Sequence, residues 1–372
     1  MPPISLLIKP ASSKCNLRCK YCFYSWISEN RTTQSYGIMN FNTLEILVRK
    51  SLEYSDNVCT FAFQGGEPTI AGLDFFKKFI ELVKIYNTKQ VAVNFALQTN
   101  GMLINEEWAS FLVGNKFLVG LSLDGPKEIH NLHRIDGMKD GTFNRVMKTV
   151  EIFNKFEVEY NILYVVTSQS ARYANKIYNF FKKNSFKYIQ FISCLDPLEE
   201  ERGLHPYSLK PEDLSKFLKI TFDRWYEDFT KGDYVSVRYF DNLISMLLGY
   251  PPEACNMIGK CQCQCVVEAD GGIYPCDFYV LDKWYLGNVK DKDLKDILNC
   301  EVSNKFIDES QVVSSECKEC KWYGLCRGAC KRERENFENE GLGLNYYCSS
   351  YKDFFDYAYP RLLSVARTVS RK

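Results

Sequence analysis

A run of three cysteines follows directly on the first apolar stretch of the chain. Cys15, Cys19 and Cys22 have the spacing C-x3-C-x2-C and come shortly after residues 4–8, which are predicted to form a buried strand. A structural zinc site normally closes its shell with four protein ligands, whereas a site that must react leaves one position open. The alternatives are a zinc knuckle completed by a distant ligand, or three ordinary buried cysteines. The run predicts a loop that holds an iron–sulfur cluster with one iron free for a small molecule.

The first two thirds of the chain alternate short apolar runs with longer amphipathic stretches. The predicted strands are 4–8, 59–64, 91–98, 118–123, 159–166 and 188–193. The predicted helices are 41–54, 73–86, 106–113, 143–156, 171–183 and 209–228. Buried strands separated by helices predict a parallel sheet with right-handed crossovers. Six such units give an α/β fold with a partial (β/α)6 barrel, in which functional groups gather at the carboxyl ends of the strands.

The composition excludes several classes of protein. The formal net charge is +1, and lysines and arginines are spread along the chain, so neither nucleic acid nor a membrane surface is expected as a partner. No stretch is apolar enough to span a bilayer, and the N-terminal residues do not form a secretory signal, so a cytoplasmic location is expected. Cytoplasmic thiols are kept reduced, and the sixteen cysteines therefore indicate metal binding rather than disulfides.

The composition of the sequence changes beyond about residue 235, where glycine and proline become frequent. Eleven of the sixteen cysteines lie after Gly232. A loop-rich segment of this kind needs metal sites to hold its fold. We therefore expect one domain over 1–234 and a cysteine-rich domain over 235–372, which ends in a helix within 345–369.

Polar motifs follow the second, third and fourth predicted strands. The first is Gln64-Gly-Gly-Glu-Pro, in which paired glycines let a backbone pass close to a ligand and Glu67 either accepts from an ammonium or stabilises the turn. Residues 98–101 and 121–125 are suited to hydrogen-bonding a ribose or a carboxylate. Arg134 is suited to a two-pronged carboxylate contact. Plain turns and a solvated arginine are the alternatives.

Eight cysteines in the second part of the chain follow a regular pattern. They are Cys255, Cys261, Cys276, Cys317, Cys320, Cys326, Cys330 and Cys348. Eight thiolates close two four-cysteine sites, and zinc fits this count as well as iron–sulfur clusters do. The open cluster predicted on the N-terminal cysteine run favours iron–sulfur here too, because zinc has no redox chemistry. Cys263 and Cys265 compete with Cys261 as ligands. Three further cysteines are predicted to be buried apolar residues: Cys59, Cys194 and Cys300.

Asp277 follows Cys276 directly. A carboxylate fixed beside a cluster ligand is a candidate general base, provided that a substrate comes within hydrogen-bond reach. A turn aspartate is the alternative.

The first part of the sequence resembles radical S-adenosylmethionine (SAM) enzymes, and the second part resembles the SPASM domain of radical SAM maturases. Over its whole length the chain is similar to the anaerobic sulfatase-maturating enzymes. The motifs that carry this similarity are the three-cysteine run followed by Tyr24, the MPP and IKPAS segments, FQGGEPT, LQTNG, GLSLDGPKEIHN, YPCDFYVLDKW and the eight later cysteines in order. The resemblance implies oxidation of a cysteine or serine in a Cys/Ser-x-Pro-x-Arg motif to Cα-formylglycine by a 5′-deoxyadenosyl radical, without oxygen.

The resemblance also implies the cofactors, SAM and three [4Fe–4S] clusters. The cluster that cleaves SAM would be held by Cys15, Cys19 and Cys22. The first auxiliary cluster would be held by Cys255, Cys261, Cys276 and Cys330, and the second by Cys317, Cys320, Cys326 and Cys348. SAM would contact Tyr21, Gly65, Gly66, Glu67, Ser122, Arg134 and Leu195. Asp277 would be the base, and Tyr24 and Gln64 would lie near the reacting carbon.

The partners implied are an unfolded or nascent sulfatase polypeptide and an external electron donor such as flavodoxin or ferredoxin. A SPASM maturase that forms a thioether or carbon–carbon cross-link in a small peptide is the nearest alternative. Such enzymes commonly carry an N-terminal peptide-recognition domain, and here fourteen residues precede Cys15. A non-catalytic iron–sulfur or zinc scaffold is the alternative from another class, but it would need neither an open cluster nor the glycine turn.

Overall fold

The structure of the protein, a computed structural model, describes residues 3–335 and 341–370. The chain forms two compact units. Of the described residues, one unit comprises 3–123, 130–160 and 262–306, and the other comprises 124–129, 161–261, 307–335 and 341–370. Within the described residues, no helix is long and apolar enough to cross a membrane. The predicted domain boundary near residue 234 stays a prediction.

The strands are short, and the six predicted ones are present. In chain order they are β1 (Ile4–Ile8), β2 (Val58–Phe63), β3 (Ala92–Thr99), β4 (Phe117–Ser122), β5 (Tyr160–Val166), β6 (Tyr188–Ser193), β7 (Ser236–Val237), β8 (Val266–Val267), β9 (Gly272–Tyr274) and β10 (Gly287–Asn288). Strands β7 to β10 were not predicted, because two or three residues carry too little periodicity to be recognised.

The predicted helices 41–54, 73–86, 106–113, 143–156 and 209–228 are present to within two residues, whereas the helices Phe23–Glu29 and Lys127–His133 were not predicted. The helices of the first part are α1 (Phe23–Glu29), α2 (Phe41–Tyr54), α3 (Leu73–Tyr86), α4 (Glu106–Gly114), α5 (Lys127–His133), α6 (Phe143–Phe156), α7 (Ser168–Ala171), α8 (Ala174–Lys183) and α9 (Pro211–Thr230). The predicted helix 171–183 is wrong at its start. A capping box between Thr167 and Ser170 begins the separate short helix α7, and α8 begins at Ala174.

The later helices are mostly short. They are α10 (Arg238–Leu247), α11 (Leu294–Leu298), α12 (Glu301–Ser310), α13 (Ser315–Glu319), α14 (Tyr323–Cys326), α15 (Lys331–Arg334) and α16 (Cys348–Val369). The last of these confirms the predicted C-terminal helix. It packs in the second unit against α9 and α10, where Phe354 lies 5.7 Å from Phe222 and 6.0 Å from Phe240 between ring centroids.

The sheet of the first unit is parallel from β1 through β4. Strand β1 pairs with β2, β2 with β3, and β3 with β4, all in parallel. On its other side β1 pairs in parallel with β8, which continues into the antiparallel strands β9 and β10. In the second unit β5, β6 and β7 are also parallel. The predicted parallel α/β architecture is therefore confirmed.

The side chains of β2 explain why this sheet forms. Phe61 and Phe63 are fully buried and pack edge to face against Phe79 of α3 at 5.2 and 4.9 Å. Burying an aromatic ring of this kind stabilises the fold by roughly 1.5–3 kcal/mol. The next residue, Gln64, leaves the strand at the carboxyl edge of the sheet, and the packed strand therefore sets the position of the polar loop that follows.

Candidate functional site

Asp277 is held on both of its carboxylate oxygens. Lys9, directly after β1, donates from Nζ to Oδ1 at 2.5 Å, and Gln64, directly after β2, donates from Nε2 to Oδ2 at 2.5 Å. Asp277 itself begins a short 3-10 turn (Asp277–Tyr279) after β9. Three strand ends of one sheet thus bring together side chains that lie far apart in the sequence. Of these three residues, Lys9 was not predicted as a site residue.

Tyr24 contacts both the Lys9–Asp277 ion pair and a second ion pair, Arg31–Glu268. Its ring lies 3.8 Å from the ammonium of Lys9, and its hydroxyl donates to the carboxylate of Glu268. Arg31 donates to the same carboxylate at 2.7 Å. Burial, followed by the charge of Glu268, raises the pKa of Tyr24 well above its ordinary value, and the side chain therefore remains a neutral phenol.

The charges of this cluster balance. Lys9 and Arg31 supply two cations, Asp277 and Glu268 supply two anions, and the four side chains are all buried. Buried charges persist only when they are paired and hydrogen-bonded. Arg31 and Glu268 were missed by the sequence analysis, and no local signal points to them, because they pair across 237 positions of the chain.

The two glycines after Gln64 make room for different neighbours. A Cβ at Gly65, whose φ is +97°, would lie 2.6 Å from both Cγ and Nζ of Lys9. A Cβ at Gly66 would lie 2.3 Å from the carbonyl oxygen of Lys14 and 2.7 Å from that of Ser12. The loop after β2 therefore packs closely on the segment that leads into the three-cysteine run.

Glu67 fastens the same loop to the end of β3. Its Oε1 accepts from the backbone N–H of Thr69 at 3.1 Å and from the hydroxyls of Thr69 and Thr99 at 2.6 and 2.8 Å. Its Oε2 accepts from the backbone N–H of Asn100 at 2.7 Å. Burial raises the pKa of Glu67, and these hydrogen bonds oppose the rise. Of its two predicted roles, turn stabilisation is what these bonds provide, and contact with the SAM ammonium stays a prediction.

The three-cysteine run lies in the loop after β1, beside Asn100. The sulfur of Cys15 accepts from the backbone N–H of Leu17 at 3.4 Å and from Asn100 Nδ2 at 3.8 Å. Burial raises the pKa of Cys15 to about 11, so this thiol ionises at neutral pH only when a cation such as iron is bound. N–H donors on a sulfur are typical of cluster ligands. The loop therefore fits a metal-bound thiolate.

Two of the residues predicted to contact SAM lie next to each other. The guanidinium of Arg134 is 5.5 Å from the ring centroid of Tyr21, and Arg134 is buried rather than solvated. Ser122 is buried at the end of β4 in the same unit. Leu195 belongs to the second unit, and its contact with SAM stays a prediction.

Four cysteines of the second unit surround one cavity. The lining of this cavity includes Cys317, Cys320, Cys326 and Cys348. Burial raises the pKa of Cys326 to about 12. Among residues 3–335 and 341–370, no three His, Cys, Asp or Glu side chains converge tightly enough to hold a single metal ion. The four predicted ligands of the second auxiliary cluster therefore line one cavity.

Three of the other predicted ligands also lie close together in the second unit. Burial and Glu333 raise the pKa of Cys330, with smaller contributions from Cys261 and Cys255. Cys261 in turn interacts with the cations of Lys331 and Arg334. Cationic side chains near thiolates suit an anionic cluster.

The two rival cysteines have neighbours of their own in the first unit. Cys263 and Cys265 belong to the first unit, where Cys263 interacts with Ser303 and Cys300. The choice between Cys261 and these two cysteines stays a prediction. Cys276 also belongs to the first unit, and its ligand role stays a prediction.

The three cysteines predicted to be buried and structural differ in exposure. Cys59 and Cys194 are buried as predicted. The prediction is wrong for Cys300, which is half-buried.

Comparisons with known proteins find relatives over nearly the whole chain. Residues 10–181 match the radical SAM superfamily, and residues 255–321 match the SPASM iron–sulfur cluster-binding domain. The cysteine-type anaerobic sulfatase-maturating enzyme of Clostridium perfringens is 56% identical over 99% of this chain and 100% of its own length. The serine-type enzyme of Bacteroides thetaiotaomicron is 30% identical over 96% of this chain and 90% of its own length.

A solved structure matches the fold over nearly the whole chain. It is native anSMEcpe with bound AdoMet and Cp18Cys peptide, which superposes with a TM-score of 0.95 at 55% identity, over 99% of this chain and 100% of that chain. The predicted partial barrel followed by a cysteine-rich SPASM domain is confirmed.

Proposed function

The chain belongs to the anaerobic sulfatase-maturating enzymes, and we propose that it acts on cysteine with Asp277 as its general base. These radical SAM oxidoreductases convert a cysteine or serine of a sulfatase active-site motif to Cα-formylglycine without oxygen. The observation that carries the proposal is the pair of hydrogen bonds that holds the Asp277 carboxylate in a fixed orientation. Greater identity to a cysteine-type than to a serine-type relative supports cysteine as the substrate residue.

The reaction removes a hydrogen atom from Cβ, a proton from the thiol and one electron from the substrate cysteine. The product of these losses is a thioaldehyde, and water then replaces its sulfur, releasing hydrogen sulfide and leaving the aldehyde. When bound, SAM and the clusters supply the radical that takes the hydrogen atom and the acceptor for the electron.

The protein's own residues hold and move the proton. Asp277 takes it from the substrate sulfur, for which the two must come within about 2.6–3.2 Å. Gln64 and Lys9 fix the two carboxylate oxygens. Tyr24 stays protonated and does not compete as a base, and its ring forms one wall beside Lys9. Orientation of this kind reduces the activation barrier by fixing the proton acceptor before the substrate arrives.

The cofactor ligands are part of the proposal. We assign three [4Fe–4S] clusters: one on Cys15, Cys19 and Cys22, one on Cys317, Cys320, Cys326 and Cys348, and one for which Cys255, Cys261 and Cys330 lie together in the second unit. For SAM, the adjacency of Tyr21 and Arg134 supports the proposal, and Gly66 is carried over from the resemblance. Gly65, Glu67, Ser122, Leu195 and the ligand Cys276 are carried over from the resemblance.

The partner proposed is a sulfatase polypeptide that carries Cys-x-Pro-x-Arg and reaches the enzyme unfolded. An external one-electron donor such as flavodoxin or ferredoxin is needed to cleave SAM reductively. Sixteen reduced cysteines are most easily maintained in the cytoplasm, which we propose as the location.

The test uses the reconstituted enzyme with dithionite and SAM under strict anaerobiosis. Peptides that differ only in Cys or Ser at the reacting position are analysed by mass spectrometry, with 5′-deoxyadenosine measured in the same samples. A formylglycine product has lost its sulfur, whereas a cross-linked product keeps it and loses two hydrogens. Sulfur-retaining product would show that the chain is a cross-linking maturase instead.

Asp277→Asn tests the base. This variant should still form 5′-deoxyadenosine, while formylglycine per 5′-deoxyadenosine falls by about 100-fold or more. An unchanged ratio would remove Asp277 from the mechanism.

A further inference from the structure

Lys9 is a fully buried lysine at the carboxyl end of β1. Its backbone N–H donates to the carbonyl of Val267 at 2.8 Å, which fixes the start of the side chain against β8. Its exposed fraction is 0%. Lysine is almost never fully buried unless it is paired, because desolvating an ammonium is costly. This side chain is therefore held in place by the groups that it faces.

The groups around the ammonium are a carboxylate and an aromatic ring. Nζ lies 2.5 Å from Asp277 Oδ1 and 3.8 Å from the ring centroid of Tyr24. A cation over an aromatic ring and beside a carboxylate is bound by both, and more strongly where water is excluded. The ammonium therefore has one defined position, and it transmits that position to the carboxylate.

Lys9 and Gln64 together fix the orientation of the Asp277 carboxylate. A carboxylate has about four acceptor positions, two on each oxygen. Lys9 occupies one on Oδ1 and Gln64 occupies one on Oδ2, so each oxygen retains an acceptor position while rotation of the group is prevented. Gln64 alone would leave the carboxylate free to turn about that one hydrogen bond.

The path of the lysine side chain requires a glycine at position 65. A Cβ there would lie 2.6 Å from Cγ and Nζ and 2.9 Å from Cδ of Lys9, along most of the length of the side chain. Contacts this short do not occur without displacement of one partner. The neighbouring Gly66 faces backbone atoms of the cysteine loop instead, so the two glycines serve different purposes.

We propose that Lys9 is a positioning residue for Asp277 and that Gly65 is kept free of a side chain to accommodate it. The inference rests on the proposed function, since it takes Asp277 to be the base. The proposal gives the two glycines of the loop different roles. Gly66 belongs with the SAM-cleaving cluster, and Gly65 belongs with the proton acceptor.

The first test is Lys9→Met, which keeps the length of the side chain and removes the ammonium. We expect formylglycine per 5′-deoxyadenosine to fall by about 100-fold, the effect of a misplaced reacting group, with peptide KM and 5′-deoxyadenosine formation close to those of the parent. A purely structural lysine would instead lower thermal stability, SAM cleavage and peptide binding together, with the ratio unchanged. That pattern, or a parental ratio in a folded variant, overturns the inference.

The second test keeps the ammonium of Lys9 but displaces it from its position beside Asp277. Gly65→Ala should lower the same ratio, because its Cβ must displace Lys9. Gly72→Ala is the matched control, since Gly72 has a similar φ of +86° but a Cβ there would meet nothing within 4 Å. Strain from positive φ is therefore common to both variants, and displacement of Lys9 is confined to one. If Gly65→Ala loses SAM cleavage but keeps the parental ratio, the glycine serves SAM and the proposal is wrong.

Asp277→Asn separates failure of this inference from failure of the proposed function. A lowered ratio in Asp277→Asn together with a parental ratio in Lys9→Met removes Lys9 and leaves the base in place. Parental ratios in both variants overturn the base assignment itself.

Discussion

The hydroxyl of Tyr24 donates to the carboxylate of Glu268, which lies 244 positions further along the chain. Arg31 binds the same carboxylate, and both of the charged side chains are fully buried. Tyr24 therefore faces the Arg31–Glu268 ion pair with its hydroxyl and the Lys9–Asp277 ion pair with its ring. The relationship indicates that the hydroxyl supports the fold of the site, while the ring lies against Lys9.

Tyr24→Phe should consequently affect stability more than chemistry. The variant keeps the ring beside Lys9 but leaves Glu268 with one fewer donor, which costs about 1–3 kcal/mol for a buried acceptor. We expect a lower thermal unfolding midpoint with formylglycine per 5′-deoxyadenosine close to that of the parent. Tyr24→Leu, which also removes the ring, is the comparison and should lower that ratio. A parental midpoint with lost product in Tyr24→Phe would instead place the hydroxyl on the substrate.

Alkaline pH should narrow the difference in stability between the parent and Tyr24→Phe. The pKa of Tyr24 is raised in the folded protein, so the folded state keeps its proton to higher pH than the unfolded chain, whose tyrosines ionise at about pH 10. The contribution of Tyr24 to the free energy of unfolding is fully present below about pH 10. It is lost as the pH rises further, because the unfolded state then releases a proton that the folded state retains. Thermal midpoints of both proteins at about pH 8 and about pH 10.5 measure the effect. A constant difference would mean that Tyr24 titrates normally.

Much of the fold could be predicted because it depends on local pattern. Apolar runs such as residues 59–64 and 188–193 are short and bounded by helical patterns, and such runs predict buried strands from the local sequence alone. The loop after β2 and the position of Asp277 after a cysteine were predictable for the same reason, since each is a contiguous motif. The similarity of the whole chain to a known family then supplied the chemistry.

The charged cluster could not be predicted in the same way. A lysine that follows a strand, as Lys9 does, ordinarily extends into solvent, and only the tertiary structure brings Asp277 to it across 268 positions. Arg31 follows a short helix and carries no sign of burial in its neighbours. Charge pairing across a sheet is fixed by which strand ends become adjacent, and that information is absent from local spacing.

Glu67→Gln should loosen the loop that carries the two glycines. The carboxylate accepts from Thr69 and Thr99 on Oε1 and from the backbone of Asn100 on Oε2. The glutamine amide has an NH2 group in place of one oxygen, so at least one of these donors would face another donor and lose its hydrogen bond. Asn100 also contacts the sulfur of Cys15, so the disturbance should reach the cluster loop. We expect weaker SAM binding and less 5′-deoxyadenosine, with formylglycine per 5′-deoxyadenosine unchanged.

Thr99→Val is the matched control for this loop, because it removes one of the donors and leaves the carboxylate intact. Its effect on SAM affinity, measured by equilibrium binding to the reconstituted enzyme, should be smaller than that of Glu67→Gln. Equal losses in the two variants would mean that the Thr99 hydrogen bond alone holds the loop.

Cys261→Ser and Cys263→Ser should separate a cluster ligand from a neighbouring thiol. Cys330 interacts with Cys261 and Cys255, whereas Cys263 interacts with Cys300 and Cys265. Cys261→Ser should therefore lose the iron and sulfide of one cluster, and Cys263→Ser should retain the parental content. Iron and sulfide analysis with Mössbauer spectroscopy measures both. Because serine changes each thiol in the same way, iron loss confined to Cys263→Ser would transfer the ligand role to Cys263.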